Sequence, residues 1–464
     1  MIKSESQEHK PGRLMISVAG IRGVVGDSLT PEVVARYAAA FGTFLGSGKV
    51  VLGRDSRPSG QMLELAAEAG LRSVGCDVVK LGIVPTPTVQ LMVRHSKARG
   101  GIAVTASHNP PQWNALKFIG RGGEFLDKET GREFLKLHDE GRIEYAASGK
   151  LGGASDHPGA VSEHVDRILA LPFVPVARIK KKKFKVVVDT CHGAGGPIFK
   201  LLLDRLGCKT ISLHHETSGL FSRPIEPLAR NLVELEAAVK NHRADAGFAT
   251  DADVDRLSIV TEQGKAIGEE CTLALAAMHR LSKKRGLVVT NLSTSRMLDD
   301  IAGKSKSKVQ RTAVGEANVV AAMRKNRAVL GGEGNGGVII PELQYARDAT
   351  AAMALVLAMM AESGRKLSVL AAGLPSYSMV KETFPCESPA VAVKKVAVFF
   401  HDRPQDHSDG VKVFFEDAWL HVRGSGTEPI VRAIAEAADP KRSYWLAKKA
   451  GELALQAPSP GGAK

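Results

Sequence analysis

Aromatic residues make up only 5% of the 464-residue chain. No basic run interleaves with them, so the base-stacking platform of a single-strand nucleic-acid binder is missing. Cysteine is equally sparse: five residues at 76, 191, 208, 271 and 386, with no CxxC pair. That excludes a disulfide framework or a cysteine-rich zinc site and favours a reducing compartment. The longest wholly apolar run is the eleven residues 351–361, well short of the ~20 that a bilayer-spanning helix requires. The opening MIKSESQEHKPG is polar and has no apolar core, so it reads as no secretory leader. A cytoplasmic protein without a membrane partner is expected.

What is present is a basic surplus, with 63 Lys and Arg against 49 Asp and Glu for a net charge of +14. Such a surplus suits nucleic acid, an anionic surface or an anionic small molecule. The one dense basic run, 180–183, leads into Val186-Val187-Val188 and reads as a solvated approach to a strand. Glycine is plentiful at 47 residues without a collagen period, which predicts many tight loops.

Hydrophobic periodicity divides the chain. Strands are predicted at 49–52, 77–81 and 101–105, with helices at 61–74 and 85–95 between them. After the polar stretch 147–158 the alternation restarts: helices at 161–171 and 197–206, strands at 184–189, 210–214 and 257–261. A third cycle has strands at 287–290 and 328–330 and a helix at 349–362; the end is strand-rich at 411–415, 419–422 and 430–435. The expected fold class is α/β, with three mixed or mainly parallel α/β sheet domains and a C-terminal α+β domain around one central cleft. The expected boundaries are 13–155, 156–264, 265–380 and 381–456.

Each polar, Gly-rich loop falls beside a predicted strand of a different domain, the place where open α/β sheets bind ligands. Thr105-Ala106-Ser107-His108-Asn109-Pro110 puts a hydroxyl, an imidazole and an amide in a sharp turn. Ser107 reads there either as a turn former or as a nucleophile. Asp251-Ala252-Asp253-Val254-Asp255-Arg256 places three carboxylates at alternate positions, where like charges repel unless a cation joins them. Oxygen-only ligands suit a hard ion, Mg²⁺ above all. An EF-hand is excluded because its sixth position, a glycine, is Arg256 here.

Gly332 to Gly337 spells GxGxxG, yet Val338-Ile339-Ile340-Pro341 follows where a dinucleotide-binding helix would have to start. That loop reads as backbone brought close to a ligand, with Glu333 and Asn335 offering hydrogen bonds to hydroxyls. Arg423-Gly424-Ser425-Gly426-Thr427-Glu428-Pro429 joins a guanidinium, two hydroxyls and flexible amides, the composition of a phosphate cradle. Arg54 and Arg57 in Gly53-Arg54-Asp55-Ser56-Arg57 read as cationic loop residues or as a salt-bridged surface.

These motifs, in this order, resemble the α-D-phosphohexomutases, which include phosphoglucosamine mutases and phosphoglucomutase/phosphomannomutases. TASHNP looks like the phosphoserine loop, DADVDR the metal loop, GGEGNGG the sugar loop and RGSGTEP the phosphate loop; GIRG at 20–23, GRDSRPSG at 53–60 and ARNL at 229–232 fill the gaps. The resemblance covers about 15–454. It implies an isomerase that interconverts hexose 6-phosphate and hexose 1-phosphate through a phosphoserine enzyme and a 1,6-bisphosphate intermediate, with the sugar 1,6-bisphosphate as activator.

Carried over by position, Ser107 is the phosphoserine, and with Asp251, Asp253 and Asp255 it holds Mg²⁺. Arg22 and Lys117 serve proton transfer and charge stabilisation, and His108 supports the loop. Glu333 and Asn335 meet the sugar, while Arg423, Ser425, Gly426 and Thr427 bind its phosphate. The implied partner is a phosphosugar, with no nucleic acid and no membrane, and the implied state is monomer or homodimer.

Three positions depart from the family pattern. Ala252 stands where Gly is usual, which requires φ < 0 there. Asn335 replaces a common Ser, and Gly337 stands where many members carry His. Arg311-Thr312-Ala313-Val314-Gly315-Glu316 resembles the phosphoglucosamine mutase segment. That favours glucosamine 6-phosphate as substrate, with phosphoglucomutase/phosphomannomutase as the alternative and a basic nucleic-acid-binding protein as the distant one.

Overall fold

The computed structural model describes residues 14–17, 20–424 and 429–455. They form two compact units. The first comprises the chain up to Ala170 with Lys183–Ala238 and Gly247–Asp255; the second comprises Leu171–Lys182, Val239–Ala246 and the chain from Arg256 onward.

The first unit is built on a seven-stranded mixed sheet. Gly100–Val104 lies at its centre, and Gly48–Arg54 beside it pairs in parallel with both Cys76–Ile83 and Gly100–Val104. The β-branched runs Val50-Val51 and Val78-Val79 favour these strands, and Gly100–Val104 is buried along its whole length. The helix Gly60–Ser73 packs Leu63, Ala67 and Leu71 inward at helical spacing.

The sequence reading lacks the strand Trp113–Ile119, which turns back antiparallel to Gly100–Val104 and then pairs antiparallel with Gly20–Val24. This return is what places the 105–112 loop at the end of the sheet. Within the same unit, Lys185–Asp189 pairs in parallel with Lys209–Leu213. The fully buried strand Ala246–Thr250 leads directly into the three-aspartate loop.

In the second unit, Leu287–Asn291 pairs in parallel with Lys308–Thr312 and Leu330–Glu333. The apolar run noted above forms the core helix Ala349–Ser363, buried from Ala349 to Ala361 and capped by Asp348, whose carboxylate accepts from Ala351 N–H. Among the described residues no helix is long and apolar enough to cross a membrane. The basic run 180–183 lies exposed at the end of the helix Val176–Lys182, where cations complement the carbonyl end of the helix dipole. The chain ends in a five-stranded antiparallel sheet covered by the helices Pro389–Phe399 and Pro440–Leu455.

The five cysteines are all free. Burial pushes the Cys76 thiol up to about 11 and those of Cys191 and Cys271 up to about 12, so these three are inert packing groups.

Candidate functional site

In the first unit Ser107 follows the buried strand Gly100–Val104 and adopts a left-handed backbone, φ 50°. That conformation is uncommon for a residue with a Cβ and here has visible supports. The Ser107 N–H donates to Thr105 Oγ1 at 2.9 Å. Arg57, 1% exposed, braces the loop from beneath. Its Nη2 donates to the carbonyls of Ser107 and Asn109 (2.8 and 2.7 Å), and its Nη1 to those of Pro110 and Trp113 (2.8 and 3.0 Å). Its Nε pairs with buried Asp55 at 3.1 Å.

The reading of Arg57 as a surface salt-bridge residue is therefore corrected. A guanidinium with five donors in one plane suits four carbonyls and a carboxylate better than it suits solvent. Arg54 does form a salt bridge, to Glu64 at 2.9 Å.

The loop delivers the Ser107 hydroxyl to the aspartate cluster: Oγ donates to Asp251 Oδ2 at 2.9 Å and lies 3.3 Å from His108 Nδ1. Asp251, Asp253 and Asp255 are 0%, 0% and 2% exposed. Each offers a carboxylate oxygen within 4.8 Å of the others. Burial and an oxygen-only donor set fit a hard divalent cation. Val254, between two of these aspartates, is held at φ 64°, a strained conformation for a β-branched residue. Ala252 is absent from the positive-φ residues, so the φ < 0 required of it is met.

Lys117 reaches the same cluster, with Nζ 2.7 Å from Asp253 Oδ2 and 4.0 Å from Asp255 Oδ2. The register Gly20↔Lys117 and Arg22↔Ala115 sets Arg22 and Lys117 on one face of the sheet. Arg22 donates to the side chain of Asn109 at 2.8 Å. Thr86, which sequence reasoning missed, donates from Oγ1 to Asp253 Oδ2 at 2.8 Å and from its backbone N–H to the Asp253 carbonyl at 3.0 Å. A threonine opening a helix after a proline is too common a pattern to have marked it.

In the second unit the glycine-rich segment read as a loop is a hairpin. Gly331 pairs with Ile339, Gly332 with Val338 and Glu333 with Gly337. Glycine is required at the turn: Gly336 has φ 90°, and a Cβ there would lie 2.5 Å from the Leu257 carbonyl oxygen.

Glu333 is 4% exposed and fully engaged. Oε1 accepts from Asn291 Nδ2 at 2.7 Å and from the Gly315 N–H at 3.2 Å. Oε2 accepts from Arg347 Nη1 at 3.1 Å and from Asn335 Nδ2 at 3.5 Å. Burial acts to raise its carboxyl pKa, but Arg347, Asn291, Arg256 and Gly315 outweigh it and hold the group below its ordinary value. Arg347 is the second residue that the sequence reading missed.

A short polar chain runs from this hairpin to Arg423. Gly315 N–H bonds Glu333, the neighbouring Val314 N–H bonds Asp409 Oδ2 at 3.0 Å, and Asp409 Oδ2 pairs with Arg423 Nε at 3.3 Å. Two residues before Arg423, His421 is 0% exposed. Its Nε2–H donates to the Asp409 carbonyl at 2.7 Å, and its Nδ1 accepts from Ser293 Oγ at 2.9 Å. Burial brings its pKa down to about 4, so it is neutral at pH 7. Of the phosphate cradle, Ser425, Gly426 and Thr427 lie outside the described residues.

Sequence models of the phosphoglucomutase/phosphomannomutase family match this chain in family order: domain I over 13–140, domain II over 162–264, domain III over 268–377 and the C-terminal domain over 381–448. The chain belongs to the phosphoglucomutase/phosphomannomutase family. It is thus an isomerase of the α-D-phosphohexomutase group.

Among relatives of this phosphohexomutase, a phosphoglucomutase/phosphomannomutase of Thermococcus kodakarensis is 39% identical over 431 residues, 90% of this chain and 93% of that protein. A probable phosphoglucosamine mutase of Methanopyrus kandleri is 37% identical over 434 residues, 92% of this chain and 95% of that one. The crystal structure of a phosphoglucomutase/phosphomannomutase family protein from Burkholderia thailandensis superposes with a TM-score of 0.83 at 28% identity, covering 97% of this chain and 99% of that one.

Proposed function

We propose that this phosphohexomutase interconverts glucosamine 6-phosphate and glucosamine 1-phosphate in the cytoplasm, through phosphoserine at Ser107 and a bound 1,6-bisphosphate. The observation that carries the reading is the Ser107 hydroxyl, 2.9 Å from one of three buried carboxylates. Under this reading the four family domains are 13–155, 156–264, 265–380 and 381–456, acting as monomer or homodimer on a phosphosugar.

In the forward half-reaction the bond from Ser107 Oγ to phosphorus breaks, and one from the sugar's free hydroxyl oxygen to phosphorus forms. The hydroxyl proton passes to a basic group beside the cluster, and Ser107 Oγ takes up a proton as it leaves phosphorus. When Oγ attacks the second phosphoryl it gives that proton up, and the sugar oxygen released takes one. Lys117 and Arg22 steady the charge that develops, and His108 supports the loop that presents Oγ. Asp251, Asp253, Asp255 and Ser107 would hold Mg²⁺, which supplies neutralisation of phosphoryl-oxygen charge when bound. Positioning and electrostatics dominate such transfers. Glu333 and Asn335 receive sugar hydroxyls, and Arg423 with Ser425, Gly426 and Thr427 holds the phosphate that is not transferred. A sugar 1,6-bisphosphate primes Ser107 when it is unphosphorylated.

The preference for glucosamine phosphate rests on the segment 311–316, which resembles phosphoglucosamine mutases and touches Glu333 through Gly315. The name of the Methanopyrus relative agrees with it. The Thermococcus relative supports glucose or mannose phosphate as the second reading. Turnover of glucosamine 6-phosphate and of glucose and mannose 1-phosphates, each with Mg²⁺ and a trace of bisphosphate, decides between them. Glucosamine phosphate is expected to give the highest kcat/KM, and no turnover of any would sink the proposal.

Asp253 is one of the three buried carboxylates that would hold the ion, so Asp253→Asn is expected to weaken metal affinity as well as rate. A titration of activity with Mg²⁺ should shift its midpoint about tenfold or more upward. An unchanged midpoint would remove Asp253 from the metal site.

A further inference from the structure

Gly337 has no side chain, and the space beside it is taken. A Cβ built there would lie 2.3 Å from Arg347 Cδ and 2.9 Å from Cγ. The path of Arg347 and any side chain at 337 therefore exclude each other. That path is fixed from its backbone outward. Arg347 forms an antiparallel bridge with Ile339, the Asp348 N–H donates to the Val338 carbonyl at 2.9 Å, and the Asp348 carboxylate caps the buried helix that follows. The side chain, 9% exposed overall, then runs between two carboxylates: Nε to Glu316 Oε2 at 2.9 Å and Nη1 to Glu333 Oε2 at 3.1 Å.

We propose that Arg347 is the positioning residue of the sugar-binding hairpin, holding the Glu333 carboxylate against Gly337 in the orientation that receives a hexose hydroxyl. This rests on the reading of Glu333 as a sugar contact. Glu316 completes the arrangement by gripping the guanidinium from its other edge, so the segment 311–316 acts on the sugar-binding residue twice, through Gly315 N–H and through Glu316. A planar fork can span two carboxylates in this way, whereas an ammonium offers no fixed plane.

The experiment compares wild-type enzyme with Arg347→Met, Arg347→Lys and Gly337→Ala. For the best hexose phosphate, Arg347→Met is expected to raise KM about ten- to hundredfold. The final extent of Ser107 phosphorylation by saturating bisphosphate should be unchanged. Gly337→Ala should raise KM in the same direction because its Cβ displaces the arginine, and Arg347→Lys should recover only part of the loss.

The pH profile separates positioning from general damage. The charged groups around Glu333 are Arg347, Arg256 and Glu316, with Glu270 and its partner Lys381 beside Gly334. Without Arg347 the buried carboxyl keeps its proton to higher pH, so the acid limb of kcat/KM moves upward in pH. A readout that needs no turnover follows from the same balance. Glu333 is held below its ordinary pKa, so its share of stability is present above the unfolded-state value and is lost as pH falls. The melting-temperature gap between wild type and Arg347→Met should therefore widen as pH rises from about 4 to 7. A flat gap with unchanged KM overturns the inference. A widening gap in an enzyme that turns over no hexose phosphate upholds the hold on Glu333 and overturns only the sugar reading.

Discussion

Ser107→Ala is expected to lose turnover by about four orders of magnitude or more, the scale on which removal of an attacking group acts. The fold should survive the change. The carbonyl of residue 107 stays bonded to Arg57, its N–H stays bonded to Thr105, and Ala pays only the modest cost of a left-handed φ. What disappears is the oxygen that lies 2.9 Å from Asp251. Intact mass after incubation with a sugar 1,6-bisphosphate is the direct check. Wild-type protein should gain one phosphoryl group and the variant none. A variant that is still phosphorylated, or that keeps full turnover, would move the nucleophile elsewhere.

The second large effect is expected at a residue that need not touch substrate. Arg57→Met retains length and apolar bulk but removes all five donors from beneath the serine loop. Four carbonyls, of residues 107, 109, 110 and 113, lose their shared donor at once. Asp55, whose pKa burial already raises against the pull of Arg57 and Thr105, loses its cation. Removing one partner of a buried ion pair costs about 3–5 kcal/mol. Arg57→Met should therefore lower the melting temperature and, below that temperature, slow Ser107 phosphorylation while the bisphosphate still binds. Arg57→Lys should rescue little, since three rotatable donors cannot reproduce a five-donor plane. Melting and phosphorylation rates like those of wild type would show that the loop needs no brace.

These two residues were unequally visible beforehand. Ser107 stood out because its turn is built from contiguous residues, Thr105 to Pro110, although the turn alone read equally as a turn former or a nucleophile. The three aspartates did so for the same reason. Carboxylates at alternate positions just before an apolar strand repel one another, and that repulsion is a local property. Arg57 gave no such signal, because its partners are five residues spread from 55 to 113 in sequence. Its loop position read equally well as solvent-facing. The hairpin at 330–339 was misread for a different cause. Glycines suggest loop on propensity alone, whereas here they permit two backbones to approach: a Cβ at Gly332 would lie 2.2 Å from the Gly337 carbonyl oxygen.

By itself the sequence determined the succession of α/β units, the strand-rich α+β end and the loops that the proposed function uses. Short apolar runs such as Val186-Val187-Val188 form the buried strands, and the candidate groups sit on contiguous turns at the ends of such strands. Only the tertiary structure decided who stands beside those groups. Thr86 and Lys117 reach Asp253 from 167 and 136 positions away, and Ser107 reaches Asp251 across 144. Arg347 reaches Glu333 because Gly337, ten positions earlier, leaves it room. The physical reason is that pairing of this kind depends on sheet order, on the antiparallel return of Trp113–Ile119 and on the space that one absent side chain leaves. None of these is a property of neighbouring residues.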